Sequence, residues 1–101
     1  GKEEGLCERF YDNGQLLERE NYKNGELDGL YELFHENGQL ERRENYKDGR
    51  QEGLEEWFYD NGQLKWKVNY QNGKRDGLWE TFDEEGNLTK STEWRDGELI
   101  E

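Results

Sequence analysis

The side chains that could do chemistry are few. His35 is the single histidine, Ser91 the single serine and Cys7 the single cysteine. A histidine without a placed nucleophile cannot run acyl transfer, and no Ser-His-acid arrangement is supported. One cysteine excludes an internal disulfide and a cysteine-based metal site. Asp-x-Asn-Gly-like pieces lack the twelve-residue ligand set of a calcium loop. The glycines precede extended segments, not helices, so no phosphate cradle is formed. Acidic neighbours such as Glu55 and Glu56 point to opposite sides of a strand. The expectation is therefore a non-enzymatic chain with no cofactor and no metal.

Aromatic and acidic residues remain, and their spacing is periodic. Gly-Leu recurs at residues 5, 29, 53 and 77, and phenylalanine at 10, 34, 58 and 82. A second glycine follows at 14, 38, 62 and 86, then an aromatic at Tyr22, Tyr46, Tyr70 and Trp94, then a third glycine at 25, 49, 73 and 97. A fixed 24-residue period marks a repeat array. The 101 residues hold 29% hydrophobic and 40% charged residues, which alone would suggest disorder. A repeat array needs only thin burial between neighbours, so it folds with few aliphatics.

The segments between glycines are too short for helices, and Asn-Gly or Asp-Gly between aromatic-rich segments signals hairpins. The chain reads as all-β: one domain over residues 1–101, a single-layer antiparallel β-meander of four hairpin repeats, curled or twisted. The repeats span 5–28, 29–52, 53–76 and 77–98, with a polar C-terminal cap. Three-residue loops are expected at both turns, opposing Phe34 to Leu40 and Tyr46 to Arg50. Even-numbered positions then share a core face, Leu6, Phe10, Leu16 and Tyr22 among them. A bulge at the strand glycines, which are expected to kink and curl the sheet, would shift this parity by one.

The even face also carries Glu8, Glu32, Glu56 and Glu80. Two readings stay open: a marginal row paired with lysine, arginine or turn amides, or an acidic ligand-binding row. The odd face varies between repeats. There Trp57 and Trp79 are expected two strands apart with Lys65 between them. Tyr31, Leu33, Trp57, Tyr59 and Trp79 are the candidate partner-binding anchors, because large aromatics anchor interfaces.

The Gly-Leu-x-Glu-x-Phe run, the Asn-Gly-x-Leu turn and the Tyr-x-(Asn/Asp)-Gly turn resemble a MORN repeat, in the variant form of bacterial antitoxin or immunity components. The resemblance covers residues 5 to 98, with Glu85 and Trp94 as departures. It implies a protein-binding module that masks a toxin.

Net charge is −12. Such a field repels nucleic acid and anionic lipid and attracts basic partners, so the expected partner is a protein, such as a basic toxin. The alternative is a structural spacer or scaffold array. Exposed terminal strands offer edge-to-edge self-association. No apolar run reaches membrane-spanning length and no secretory segment is visible, which suggests the cytoplasm unless a leader has been removed.

Overall fold

The computed structural model describes residues 4–100. Twelve strands form one open antiparallel sheet. Each of the first three repeats supplies a six-residue strand, an eight-residue strand and a two-residue tail strand. These are β1 (Gly5–Phe10), β2 (Leu16–Lys23) and β3 (Glu26–Leu27), then β4 (Gly29–Phe34), β5 (Leu40–Lys47) and β6 (Arg50–Gln51). The third repeat gives β7 (Gly53–Phe58), β8 (Leu64–Gln71) and β9 (Lys74–Arg75), and the fourth gives β10 (Gly77–Phe82), β11 (Leu88–Arg95) and β12 (Glu98–Ile100). The molecule measures 46 × 31 × 12 Å, the thickness of a single layer.

The first turn of each repeat is the expected three-residue loop. His35 N donates to Gln39 O at 2.8 Å, and Phe34 lies opposite Leu40. The second turn is not. Lys47 pairs with Arg50, and Tyr46 with Gln51 instead of Arg50. Two residues, Asp48 (φ +51°) and Gly49 (φ +81°), close it. Both central residues are left-handed, as a tight I′ hairpin turn requires, and aspartate tolerates that conformation.

The register also slips by one residue just after the first turn. Phe34 faces Leu40, but Leu33 faces Arg42, leaving Glu41 as a bulge. Leu17, Lys65 and Thr89 are skipped in the other repeats. The single even face is therefore corrected. Beyond the bulge, odd positions of each six-residue strand share a face with even positions of the following eight-residue strand, while Leu16, Leu40, Leu64 and Leu88 stay with the phenylalanines they oppose. Tyr31 faces Glu44, and Trp57 faces Trp66.

The strand glycines do not carry this bulge. Gly53 has φ +84° with open space around its missing Cβ. An alanine there meets no atom, yet pays about 1–2 kcal/mol for a left-handed backbone. Each strand glycine pairs with the repeat's late aromatic, as Gly29 does with Tyr46.

Successive repeats join through short ladders such as Arg42 with Trp57 and Arg43 with Glu56. Side chains extend this ladder over the turns. Tyr11 OH donates to Phe34 O at 2.5 Å, His35 Nε2 lies 3.2 Å from Phe58 O, and Tyr59 OH donates to Phe82 O at 2.8 Å. Asn13, Asn37 and Asn61 donate to Glu36 O, Asp60 O and Glu84 O. His35 is thus an inter-repeat tie in a position held by tyrosine in repeats 1 and 3. In the fourth repeat the two donor positions hold Asp83 and Glu85, which as carboxylates have no proton to donate. Asp83 instead accepts the amides of Glu85 and Asn87 within its own turn.

Candidate functional site: an aromatic ladder on one face

The face that gathers Tyr31, Arg42, Trp57 and Trp66 is the better covered one. The buried residues among those described are Tyr31, Val68, Glu44 and Glu55, and all four lie on it by register. Four indoles run along its C-terminal half. Trp57 and Trp66 stack at 5.2 Å and 21°, Trp66 and Trp79 sit 5.4 Å apart, and Trp79 and Trp94 sit 6.0 Å apart. Trp66 is the residue between Trp57 and Trp79. The expected Lys65 is the bulged residue, and its ammonium lies 5.5 Å from the Tyr59 ring.

Two guanidinium groups extend the ladder. Arg42 lies 5.1 Å from the Tyr31 ring and 4.9 Å from Trp57. Arg75 lies 4.4 Å from Trp79 and 4.9 Å from Trp94. Ring faces attract cations, more so where water is partly excluded. Carboxylates fix the polar ends. Tyr31 OH donates to Glu18 at 2.6 Å and accepts from Arg42 at 3.1 Å. Tyr46 OH donates to Glu44 at 2.8 Å, and Trp57 Nε1 to Glu55 at 2.7 Å. In the third repeat the position of Glu44 is taken by Val68, which is 1% exposed.

The candidate anchors therefore separate. Trp57 and Trp79 belong to the ladder. Leu33 lies on the same face opposite Arg42. Tyr59 stands beside the turn, its hydroxyl spent on the next repeat. Tyr31, at 8% exposed, organises the face and has little ring left to touch a partner. Trp66, Trp94 and Arg42 were missed because even positions of the longer strands are expected on the other face, whereas Arg75 reaches the ladder from the tail strand β9, opposite Tyr70. At the C-terminal end Trp79, Thr81, Lys90, Thr92, Trp94 and Leu99 line a shallow cleft of about 200 Å³.

The glutamate row lies on the opposite face and is paired. Arg19 Nε is 3.4 Å from Glu8 and its Nη1 is 3.3 Å from Glu32; Arg43 reaches Glu56 at 2.8 Å and Lys67 reaches Glu80 at 3.7 Å. These bonds match the pairing, although the row runs along the middle of the face and not at its margin. Among the described residues no group of three or more metal-ligating side chains converges, and no helix is long and apolar enough to cross a membrane.

Glu44 gives the face a pH response. Burial raises its pKa, with the Glu55 charge adding to that, against the Tyr46 hydrogen bond and the Arg42 charge. A carboxyl with a raised folded pKa binds more protons folded than unfolded, so lowering the pH from neutral towards that value increases stability. Asp83 acts oppositely. Hydrogen bonds, first from the Asn87 amide, lower its pKa below 3.8, so its contribution is lost only at more acid pH. Thermal melts should rise on mild acidification and fall below about pH 3.8. Glu44→Gln should flatten the rise; an unchanged rise would assign it elsewhere.

The architecture is that of an open single-layer repeat sheet. A model of the MORN repeat variant matches residues 3–24, 27–48, 51–72 and 75–100. The chain belongs to the MORN repeat family, whose repeats build scaffolds and protein- or membrane-binding modules. No curated protein matches it significantly.

Proposed function

We propose that the chain is a protein-binding module that docks a basic partner on its aromatic face, in the manner of an immunity or antitoxin protein masking a toxin. The observation that carries this reading is the Trp57–Trp66–Trp79–Trp94 ladder, ending in an apolar cleft. Rigid, half-covered indoles lose little entropy on contact and supply large apolar area, which is why tryptophan is enriched at binding hot spots. The sheet edge formed by the first turns adds the steering field. It carries Asp12, Glu36, Asp60, Asp83, Glu84 and Glu85 and no lysine or arginine. Such an edge accelerates encounter with a positive surface and is weakened by salt.

The test is recovery of a bound protein from cell extract at low and high salt. A basic partner released by salt is expected. Trp57→Ala with Trp79→Ala should weaken that complex by about 2 kcal/mol or more. Because these rings also support the fold, Leu99→Lys in the cleft provides a second variant, at a residue 47% exposed. It too should weaken binding, whereas Leu54→Lys on the opposite face should not. Binding intact in both cleft-face variants would remove the site.

A further inference from the structure

The face opposite the indoles is unaccounted for by this reading. Of the seven exposed large apolar side chains among the described residues, six lie there by register: Leu6, Phe10, Leu30, Leu54, Leu78 and Leu88. Leu99, opposite Trp94, is the seventh and lies on the aromatic face. The apolar residues form two stripes, one through the Gly-Leu leucines and one through the Phe-Leu pairs at the first turns. Between the stripes runs the charge ladder. Glu8, Glu32, Glu56 and Glu80 alternate, strand by strand, with Arg19, Arg43 and Lys67, and Ser91 stands on the last long strand. Four acids against three bases leave this stripe at −1, in a chain of −12. The face thus carries most of the exposed apolar side chains, with Asn21, Asn45, Asn69 and Glu93 opposite the Gly-Leu leucines, and its middle stripe is nearly neutral.

We propose that a second copy of this chain covers this face, sheet on sheet and antiparallel. The argument is the order of the charges. Acid and base alternate along the first seven of the eight longer strands, with Ser91 on the last, so reversing the order sets every acid but Glu8 against a base. In a fully overlapped antiparallel pair Arg19 meets Glu80 of the second copy, Glu32 meets Lys67, and Arg43 meets Glu56. Glu8 falls over Ser91, which removes what would otherwise be the fourth ion pair but creates no like-charge contact. A parallel overlay would stack glutamate on glutamate, and like charges opposed across an interface cost several kcal/mol. The phenylalanine–leucine stripe meets itself, with Phe34 over Leu64 and Phe58 over Leu40.

Size and geometry agree. A 46 × 31 Å face exceeds the roughly 800 Å² per partner of a standard interface. Two sheets pack face to face about 10 Å apart with strands within about 30°. Twist confines the closest contact to the middle strands, β5 and β7, beside the two-fold axis. An isologous pair of this kind closes on itself and leaves both aromatic faces free.

The experiment is sedimentation of the full chain across concentration, with variants. A dimer is expected. Leu54→Lys with Leu78→Lys, both at exposed positions, should abolish it while circular dichroism stays unchanged. A monomer at every concentration overturns the proposal, and so does a dimer that survives both lysines, which would indicate edge pairing. The register is read by cross-linking in a Cys7→Ser background. Leu54→Cys, near the axis, should link to its counterpart with a short bis-maleimide. Leu78→Cys should not, since five strand spacings, about 24 Å, separate the two copies. Equal linking at both positions overturns the antiparallel arrangement. Failure here leaves partner binding on the aromatic face untouched, because Leu99→Lys and Leu54→Lys report on different faces.

Discussion

Trp66→Ala is expected to cost about 3 kcal/mol, near the low end for removing a large aromatic because the ring is only half-buried. Its ring touches Trp57 within its own hairpin and Trp79 in the next repeat. It therefore couples both kinds of interface on which a linear array depends. Trp94, at the end of the ladder, has one indole neighbour at 6.0 Å, so Trp94→Ala should cost clearly less. Small domains hold roughly 5–15 kcal/mol in total, and a 3 kcal/mol loss at one junction should broaden the melt as well as lower it. Repeats 1 and 2 would then retain structure beyond the point where repeats 3 and 4 are lost. Urea titrations followed by circular dichroism and by tryptophan emission would separate. Coincident transitions, with Trp66→Ala and Trp94→Ala equally costly, would show that the ladder is not a coupling element.

The repeat, the all-β class and the three-residue first loop were legible because each rests on a strong local signal. Period is visible in glycine positions, and Asn37-Gly38 between Phe34 and Leu40 names its own turn. What was not legible is parity. Glu41, Leu17, Lys65 and Thr89 share no chemistry that would mark a bulge, and a bulge is a property of the paired strand, not of the residue. The second turn was misread for a related reason. Asp48-Gly49 suits either loop length, and only the two left-handed angles decide it.

These two small errors had unequal consequences for the site. The odd positions of the shorter strands, Trp57 and Trp79 among them, were grouped correctly because alternation within one strand needs no knowledge of its neighbour. The partners across the bulge, Trp66 above all, went to the wrong side. With them went the distinction between the covered face and the open one. The Gly-Leu leucines that looked like core are exposed, and Tyr31, expected to be an anchor, is buried. Hydrophobicity alone could not have made that assignment, since both faces carry apolar rows. The glutamate row was the better guide. Its acids found bases one strand away because arginine or lysine occupies the matching position of repeats 1 to 3, at Arg19, Arg43 and Lys67.

Alkali should unfold the chain cooperatively between pH 10 and about 12. Burial pushes Tyr31 up to about 12, with its hydrogen bond to Glu18 adding to the effect. Burial likewise raises Tyr46, helped by Glu44, and Tyr70. Tyr11 is raised by desolvation and by the charges of Glu41 and Glu36. A phenol whose folded pKa exceeds its unfolded value of 10 contributes stability that is complete below pH 10 and is lost as the pH rises through the folded value. Several such groups on one thin sheet add their slopes, so phenolate absorbance and loss of sheet should appear together. Tyr31→Phe separates the causes. At neutral pH it should lower stability by about 1–3 kcal/mol, because Glu18 and Arg42 lose a shared partner. Towards pH 12 its deficit against the parent should shrink, since phenylalanine has no proton to lose. Parallel pH profiles for the two proteins would mean that Tyr31 ionises without consequence for the fold, and the hydroxyl–carboxylate bonds would lose their place as supports of the aromatic face.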